Sequence, residues 1–317
     1  MNTIRTLNTI VFPSDVFNPA KVDPEFLDEA NAVTSLGGKI VLVDHTGLES
    51  GEFSARNILT QSKASDYDNF IGTPEEYGIL LDSIPERISY DTNAFYRGWM
   101  MSSETYQYMR WQLGIRLIEM HSDTSDYSSG YYFANWYNQF RNITPASTWF
   151  PESLDWATMR GFVESELGRK SYIIKDQVKS RKHEWDTACY APDIDALESV
   201  INEFKRLQGD TLAGGIVVRE YEEFDKTTGE VRVWWVGGQP VMVSPHPDTP
   251  DSLPEVDLSF VQSAVESLGR PFVTTDLARR KDGAWRVIEA SDGQVSGIPK
   301  GFDSTPLFRA LLDFKKG

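Results

Sequence analysis

Two short apolar runs stand near the start of the chain, Thr9-Ile-Val-Phe-Pro13 and Lys39-Ile-Val-Leu-Val-Asp44. The second is apolar through its length, as expected of a strand covered on both faces. Between them, Phe26, Ala30 and Val33 fall on one face of a helix over Asp23 to Leu36, which Gly37-Gly38 stops. Strand, helix and strand at this spacing make one βαβ unit. It lacks GxGxxG and so is not read as a dinucleotide site. From about Glu49 to Pro85 the pattern is polar and weak, read as loop with a short helix. Within Ser89 to Met101 a strand is expected at Phe95-Tyr-Arg97-Gly-Trp-Met-Met, then a helix from Ser102 to about Gly114 and a strand at Arg116 to Met120. The spacing then predicts one aromatic-rich helix from Ser125 to Arg141, its stripe taken as core. The proline-bounded Thr144 to Pro151 places a domain boundary near 150.

The second half changes rhythm. Helices are expected over Asp155 to Leu167, Pro192 to Leu207, Leu258 to Leu268 and Pro306 to about Phe314. Between them lie strands at Ser171 to Asp176 and from Leu212, a hairpin turning at Gly237-Gly238, and a second hairpin turning at Asp282-Gly283. Strands with intervening helices after residue 150 suggest an α+β region with mostly antiparallel pairs. The expected organisation is an N-terminal α/β domain over 1–150 and an α+β domain over 151–317.

Charge and composition narrow the function. The net charge of -16 argues against nonspecific binding to nucleic acid or an anionic membrane. One cysteine, Cys189, excludes an internal disulfide and fits a reducing compartment. No secretory leader or membrane-spanning run is read, so the expected location is cytoplasmic.

Candidate chemistry centres on the last hairpin. A four-residue loop, Lys281 to Ala284, sets Asp276 opposite Glu289 on one side of the sheet. Like charges directly opposite destabilise a strand pair. A hard divalent cation between the carboxylates removes the objection, since oxygen ligands are what Mg²⁺ binds. Asp292, where the strand ends, joins them as a third candidate ligand. The alternative is a solvated hairpin face. Upstream, Lys175, Lys179, Arg181 and Lys182 are cations suited to phosphate oxygens, and Arg232 adds a planar fork. Glu220, Tyr221 and Glu222 form an acidic strand exit where adenine and ribose would hydrogen-bond. Each has a plainer reading: a snorkelling strand-end lysine, a solvated charged loop, surface glutamates. His183 is read as a loop residue, and the other histidines match no zinc spacing.

The order of these parts resembles the ATP-grasp superfamily, and more closely its clade named for two arginines and one lysine. Tyr172-Ile-Ile-Lys175-Asp-Gln-Val-Lys179-Ser, Val217-Val-Arg219-Glu220-Tyr, Glu230-Val-Arg232-Val and Ile288-Glu289-Ala-Ser-Asp292-Gly-Gln-Val-Ser-Gly297-Ile-Pro299 carry the resemblance. Val11-Phe-Pro-Ser-Asp15, Tyr96-Arg97-Gly98 and Thr144-Pro-Ala-Ser are similar to that clade's N-terminal part. A more distant similarity is to the cell-division-cycle 123 proteins, which assemble a translation initiation factor. The resemblance implies an ATP-grasp fold, two α+β subdomains around a nucleotide cleft, preceded by an α/β pre-ATP-grasp domain. It implies ATP and Mg²⁺ as cofactors. Lys175 would meet the α/β phosphates, backbone at Glu220 and Tyr221 would read adenine, and Glu222 would read ribose. Arg232 would stabilise the transferring phosphoryl group, Asp276 and Glu289 would hold Mg²⁺, and Lys179 and Arg181 would lie on a loop closing over the phosphates. Many ATP-grasp enzymes carry Glu-x-Asn at the last metal strand. Here Asp292 would replace that Asn from one position later.

The activity so implied is ATP-dependent ligation: a carboxylate becomes an acylphosphate that an amine attacks. Positioning and electrostatics supply such catalysis, so the lack of a nucleophile dyad is no objection. The alternatives are an ATP-binding assembly protein with little turnover and a phosphotransferase. Partners expected are a small-molecule or peptide acceptor and, for the assembly reading, a protein. Arg97 is the N-terminal candidate for receiving a substrate carboxylate, against a surface salt bridge.

Overall fold

Thr9–Pro13 forms β1 and Lys39–Val43 forms β2, parallel to it, with α1 (Leu27–Ser35) crossing between them. The computed structural model of the protein describes residues 8–53, 58 and 92–316. Most of the weakly patterned segment expected to be loop, 49–85, lies outside them. A short helix that the pattern did not announce, α2 (His45–Ser50), follows β2, with Asp44 accepting from the Gly47 amide at its start. On the other side of β1 lie β3 (Thr92–Tyr96) and β4 (Ile118–Met120), also parallel, giving the order β2-β1-β3-β4. Between them runs α3 (Ser103–Ile115), which begins where the Ser102 hydroxyl accepts from the Thr105 amide, the expected N-cap.

The single aromatic helix expected over Ser125 to Arg141 is two: α4 (Thr124–Tyr131) and α5 (Phe133–Phe140). Tyr132 is extended between them, and the first amides of α5, on Phe133 and Ala134, donate to the Gln177 carbonyl and Gln177 Oε1 at 2.8 and 2.9 Å. A residue from the second half of the chain thus satisfies donors that a continuous helix would have satisfied itself. The aromatic stripe is core, but core of the second half: Phe133, Trp136, Tyr137 and Phe140 pack with Val231, Val233 and Trp235.

Two antiparallel sheets follow. In the first, β5 (Ser147–Phe150), β8 (Ile216–Glu220), β6 (Tyr172–Lys175) and β7 (Tyr190–Ala191) lie in that order. The face bearing Tyr172, Ile174, Ile216 and Val218 packs on α6 (Trp156–Leu167) and α7 (Leu197–Gln208). Strand β5 lies before residue 150 yet pairs with β8, so sheet and core both cross the boundary expected there. The second sheet has the order β10-β9-β11-β12, from β9 (Glu230–Val236), β10 (Gln239–Pro245), β11 (Phe272–Arg279) and β12 (Trp285–Asp292). Gly237 and Gly238 both take positive φ in the expected tight turn between β9 and β10.

Alternation along β9 and β11 decides where chemistry can sit. One face sends Val231, Val233, Trp235, Val273 and Leu277 into a core with α5 and α8 (Ser259–Leu268). The other sends Trp234, Val236 and Phe272 against Ile10, Phe12 and Phe95 of the parallel sheet and against α9 (Thr305–Asp313). Further along that second face the residues turn polar, at Arg232 and Asp276. The N-terminal sheet covers the apolar end, and Arg232 and Asp276 lie beyond that cluster.

Arg97 closes this junction. It is 1% exposed, grips Glu29 through Nε and Nη2 at 2.8 Å each, and donates from Nη1 to the carbonyls of Gly293 and Ser296 at 2.5 and 2.9 Å. It is therefore neither the substrate-receiving cation nor the surface salt bridge weighed from sequence. Its guanidinium ties the end of β3 to α1 and to the segment after β12.

Candidate functional site

The hairpin register places Asp276 opposite Glu289, and Asp276 is also opposite Arg232 on its other side. Near the turn the pairing differs from the sequence reading. Arg279 pairs with Trp285 across a five-residue loop, and a bulge at Ile288 then restores the Asp276–Glu289 pairing. Arg232, Asp276 and Glu289 so share one face of three neighbouring strands. Arg232 forks onto Asp276, Nε to Oδ1 and Nη2 to Oδ2 at 2.8 Å each, and donates from Nη1 to Gly297 O at 3.0 Å. Burial alone would raise the Asp276 carboxyl; the Arg232 and His246 contacts outweigh it and hold it well below its ordinary range.

His246 was not singled out by sequence reasoning, since a lone histidine one residue past a strand carries no spacing signal. Its Nε2 lies 3.4 Å from Asp276 Oδ2, and its Nδ1 accepts from the Asp248 amide at 3.1 Å. The same Nε2 lies 3.2 Å from Arg232 Nη2, so Asp276 and Arg232 together set where the ring proton sits. Burial lowers the pKa of the ring, but the Asp276 contact prevails and raises it.

Lys175 ends β6 and is buried, with Nζ 5.8 Å from the centre of the Phe133 ring. On the same face of the sheet stands Arg219, which was quoted in the resemblance but given no role. Its guanidinium lies 5.1 Å from the Phe133 ring and donates from Nη1 to Ile288 O at 2.9 Å, bringing β8 against β12. Its Nη2 is buried without a hydrogen-bond partner among the described residues. Burial draws the pKa of Lys175 below its ordinary value and pushes that of Arg219 down to about 10, and for both the charge of Glu289 is the largest opposing influence. The signal in sequence was an arginine inside an otherwise apolar strand. Lys175 and Arg219 thus face Glu289 electrostatically, with Arg232 and Asp276 beside it.

Other expected residues are placed differently. Arg181 spends its guanidinium on Glu184, at 3.0 and 3.2 Å, and on Gln208, at 3.0 Å. Of the cations on that loop, Lys182 is the one whose charge reaches Glu230 and Lys175. Lys179 is exposed; its backbone closes a turn in which Asp176 Oδ1 accepts from the Val178 and Lys179 amides. At the strand exit the amides of Glu220 and Tyr221 already donate to the carbonyls of Ala146 and Ser171, at 2.7 and 2.9 Å. Glu222 is gripped by Arg286 at 2.9 and 3.0 Å, and Glu220 meets Lys170 Nζ at 2.5 Å. Glu220 to Glu223 line a cavity of about 290 Å³ with Arg280, Lys281 and Asp282. Both amides and the Glu222 carboxylate are thus engaged within the protein, so adenine would have to meet other backbone groups at Glu220 and Tyr221, and ribose would have to compete with Arg286 for Glu222.

Asp292 is a clear correction. Three residues beyond Glu289 on a strand of period two, it points to the opposite face. There it accepts from the Gln294 amide at 2.7 Å and packs on α4 so closely that a Cβ on Gly130 would stand 2.7 Å from its own. The residue that shares the face of Glu289 is Ser291, in the Glu-x-Asn position, with Oγ donating to Glu289 Oε1 at 2.9 Å. Among the described residues no three acidic, histidine or cysteine side chains gather as a metal cluster. Asp276 and Glu289 are the pair that Mg²⁺ would use, with phosphate oxygens and water completing the shell, once Arg232 yields an Asp276 oxygen.

Burial pushes the Asp292 carboxyl up to about 7. A folded-state pKa above the ordinary value adds stability that is fully present at low pH and lost as pH rises through the folded pKa. Asp292→Asn should therefore gain on wild type between about pH 4 and pH 7, by up to about 4 kcal/mol from three pKa units. Urea midpoints of both proteins at pH 5 and pH 8 check this: a difference that does not grow with pH contradicts it.

No helix among the described residues is long and apolar enough to cross a membrane. Residues 166–311 match the family described as an ATP-grasp domain, family 3 of the clade named for two arginines and one lysine. Three similar solved structures are the D-cycloserine synthetase DcsG, the ATP-grasp ligase PsnB with its minimal precursor, and the D-alanine–D-alanine ligase from Coxiella burnetii. The first is 13% identical, with 96% of this chain and 99% of that one covered and a TM-score of 0.56. PsnB is 15% identical over 96% and 98%, TM-score 0.55. The Coxiella enzyme is 10% identical over 96% and 94%, TM-score 0.56. Likeness at these identities shows the fold, which is ATP-grasp over most of the chain. No curated protein sequence matches the chain.

Proposed function

With an ATP-grasp domain of the two-arginine, one-lysine clade in residues 166–311 as the premise, we propose that the protein is an ATP- and Mg²⁺-dependent carboxylate–amine ligase. The observation that carries the reading is the pairing of Asp276 with Glu289 on one face, with Lys175 and Arg219 held across from Glu289. Buried cations with one unpaired guanidinium nitrogen suit a polyphosphate, and two carboxylates on neighbouring strands suit the cation that accompanies it. The ligase names of the similar structures agree with this.

In this reading the acceptor carboxylate takes the γ-phosphoryl group of ATP, forming a C–O–P linkage and releasing ADP. An amine then attacks the acyl carbon, an amide forms, and inorganic phosphate leaves. Lys175 and Arg219 hold phosphate oxygens. Arg232, already aimed at this face, steadies the group in transfer as it shares its fork between Asp276 and substrate. Asp276 and Glu289 would hold Mg²⁺, which supplies charge neutralisation at the phosphates. His246 stands beside Arg232 at the same Asp276 oxygen and helps to keep that carboxylate oriented.

The test is ADP release in the presence of candidate carboxylates and amines, with the product examined by mass spectrometry. Release that needs both acceptors and yields an amide is the expected result. A stable phosphorylated product would replace ligation by phosphotransfer. Nucleotide binding with negligible release under any acceptor pair would point to the assembly reading.

A further inference from the structure

Away from the cleft, a cavity of about 420 Å³ opens where the start of α4, the end of α8 and the C-terminal tail meet. Arg270 lines it and is 7% exposed. Its Nη1 is buried with no hydrogen-bond partner among the described residues. Burial lowers its pKa, opposed by the charges of Asp292 and Asp126. A guanidinium nitrogen buried without a partner is costly, and Arg270 is the buried cation of this lining. Lys315 and Lys316 add two cations to the lining, and Asp123, Asp126 and Glu266 add three anions.

We propose that this cavity is a binding site for a small zwitterionic α-amino acid, its carboxylate on Arg270 and its ammonium toward the acidic residues of the lining. The lining charges cancel, three against three, which disfavours a dianion such as phosphate and suits a ligand that carries both signs. A planar carboxylate also matches the guanidinium fork. The proposal is independent of the ligase reading, because none of these residues belongs to the ATP cleft.

The experiment titrates the full-length protein by calorimetry with L-alanine, acetate and inorganic phosphate, alongside the variants Arg270→Gln and Glu266→Gln. L-Alanine is expected to bind wild type more tightly than acetate, with phosphate weakest. Arg270→Gln should weaken L-alanine by at least about tenfold, the scale of one lost charge-assisted hydrogen bond. Glu266→Gln should weaken L-alanine while leaving acetate unchanged, and it serves alone should Arg270→Gln fail to fold. L-Alanine that does not bind wild type, or that binds both variants as well as wild type, overturns the proposal; the second outcome would put the amino acid in the ATP cleft. Phosphate binding more tightly than L-alanine, or acetate equalling it, overturns the choice of ligand.

Discussion

Glu289→Ala is expected to lower ADP release by about 10²–10³-fold, the scale of removing one electrostatic contributor to a transition state, while the protein still folds. Glu289 is half-buried, and the side-chain hydrogen bond on its carboxylate comes from the Ser291 hydroxyl rather than from a cation. Removing it strands no buried partner in a fixed ion pair. Its charge is nonetheless what offsets the burial of both Lys175 and Arg219. Some stability is lost with that charge, but no fixed ion pair is broken, so turnover and folding can be read apart in one protein. Asp276→Ala does not allow this, because it also leaves the partly buried Arg232 without its fork partner, a change that costs about 3–5 kcal/mol on its own. Turnover and a melting curve on Glu289→Ala check this together. Full turnover would remove Glu289 from the site, and loss of folding would make it structural.

Arg97→Ala is expected to cost about 3–5 kcal/mol of stability, the range for breaking a buried ion pair by deleting one partner. It strips two hydrogen bonds from Glu29 and one each from the carbonyls of Gly293 and Ser296. Lysine would not replace it, since an ammonium lacks the planar fork that bridges Glu29 and the two carbonyls. Urea unfolding measures the loss. The joint change Arg97→Met with Glu29→Met should recover part of it, because neither charge is then left alone. The segment 293–297 also brings Gly297 O to Arg232, so turnover of Arg97→Ala should fall beyond what unfolding explains. An unchanged urea midpoint would show that this tie adds nothing to stability.

The strands that carry the candidate site were legible because alternation and turn chemistry are local. Asp282-Gly283 and Gly237-Gly238 announce hairpins, and the Asp276–Glu289 pairing follows from the first of them. Even there the sequence concealed a compensation: a loop one residue longer than expected, cancelled by a bulge at Ile288. Side-chain direction three residues on was the harder matter. Asp292 looked like a ligand by proximity in sequence, but strand parity sends it to the opposite face, and Ser291 stands where it was sought. Long-range pairings were invisible for the same reason. Nothing near Tyr132 says that Gln177 will cap the following helix and split the aromatic segment, and nothing near Glu222 says that Arg286 will take its carboxylate. Arg219 and His246 lacked a spacing pattern because their roles come from strands brought together by the fold. The family resemblance supplied the order of the parts; the geometry reassigned several of the residues within it.

The most direct test of the nucleotide cleft is a crystal structure of the protein with ADP and Mg²⁺. The account predicts diphosphate density between Lys175 and Glu289, in contact with Arg219, and a metal on Asp276 and Glu289 with Asp292 still facing Gln294. Nucleotide density elsewhere, or a metal bound by Asp292 with Glu289 uninvolved, would contradict it.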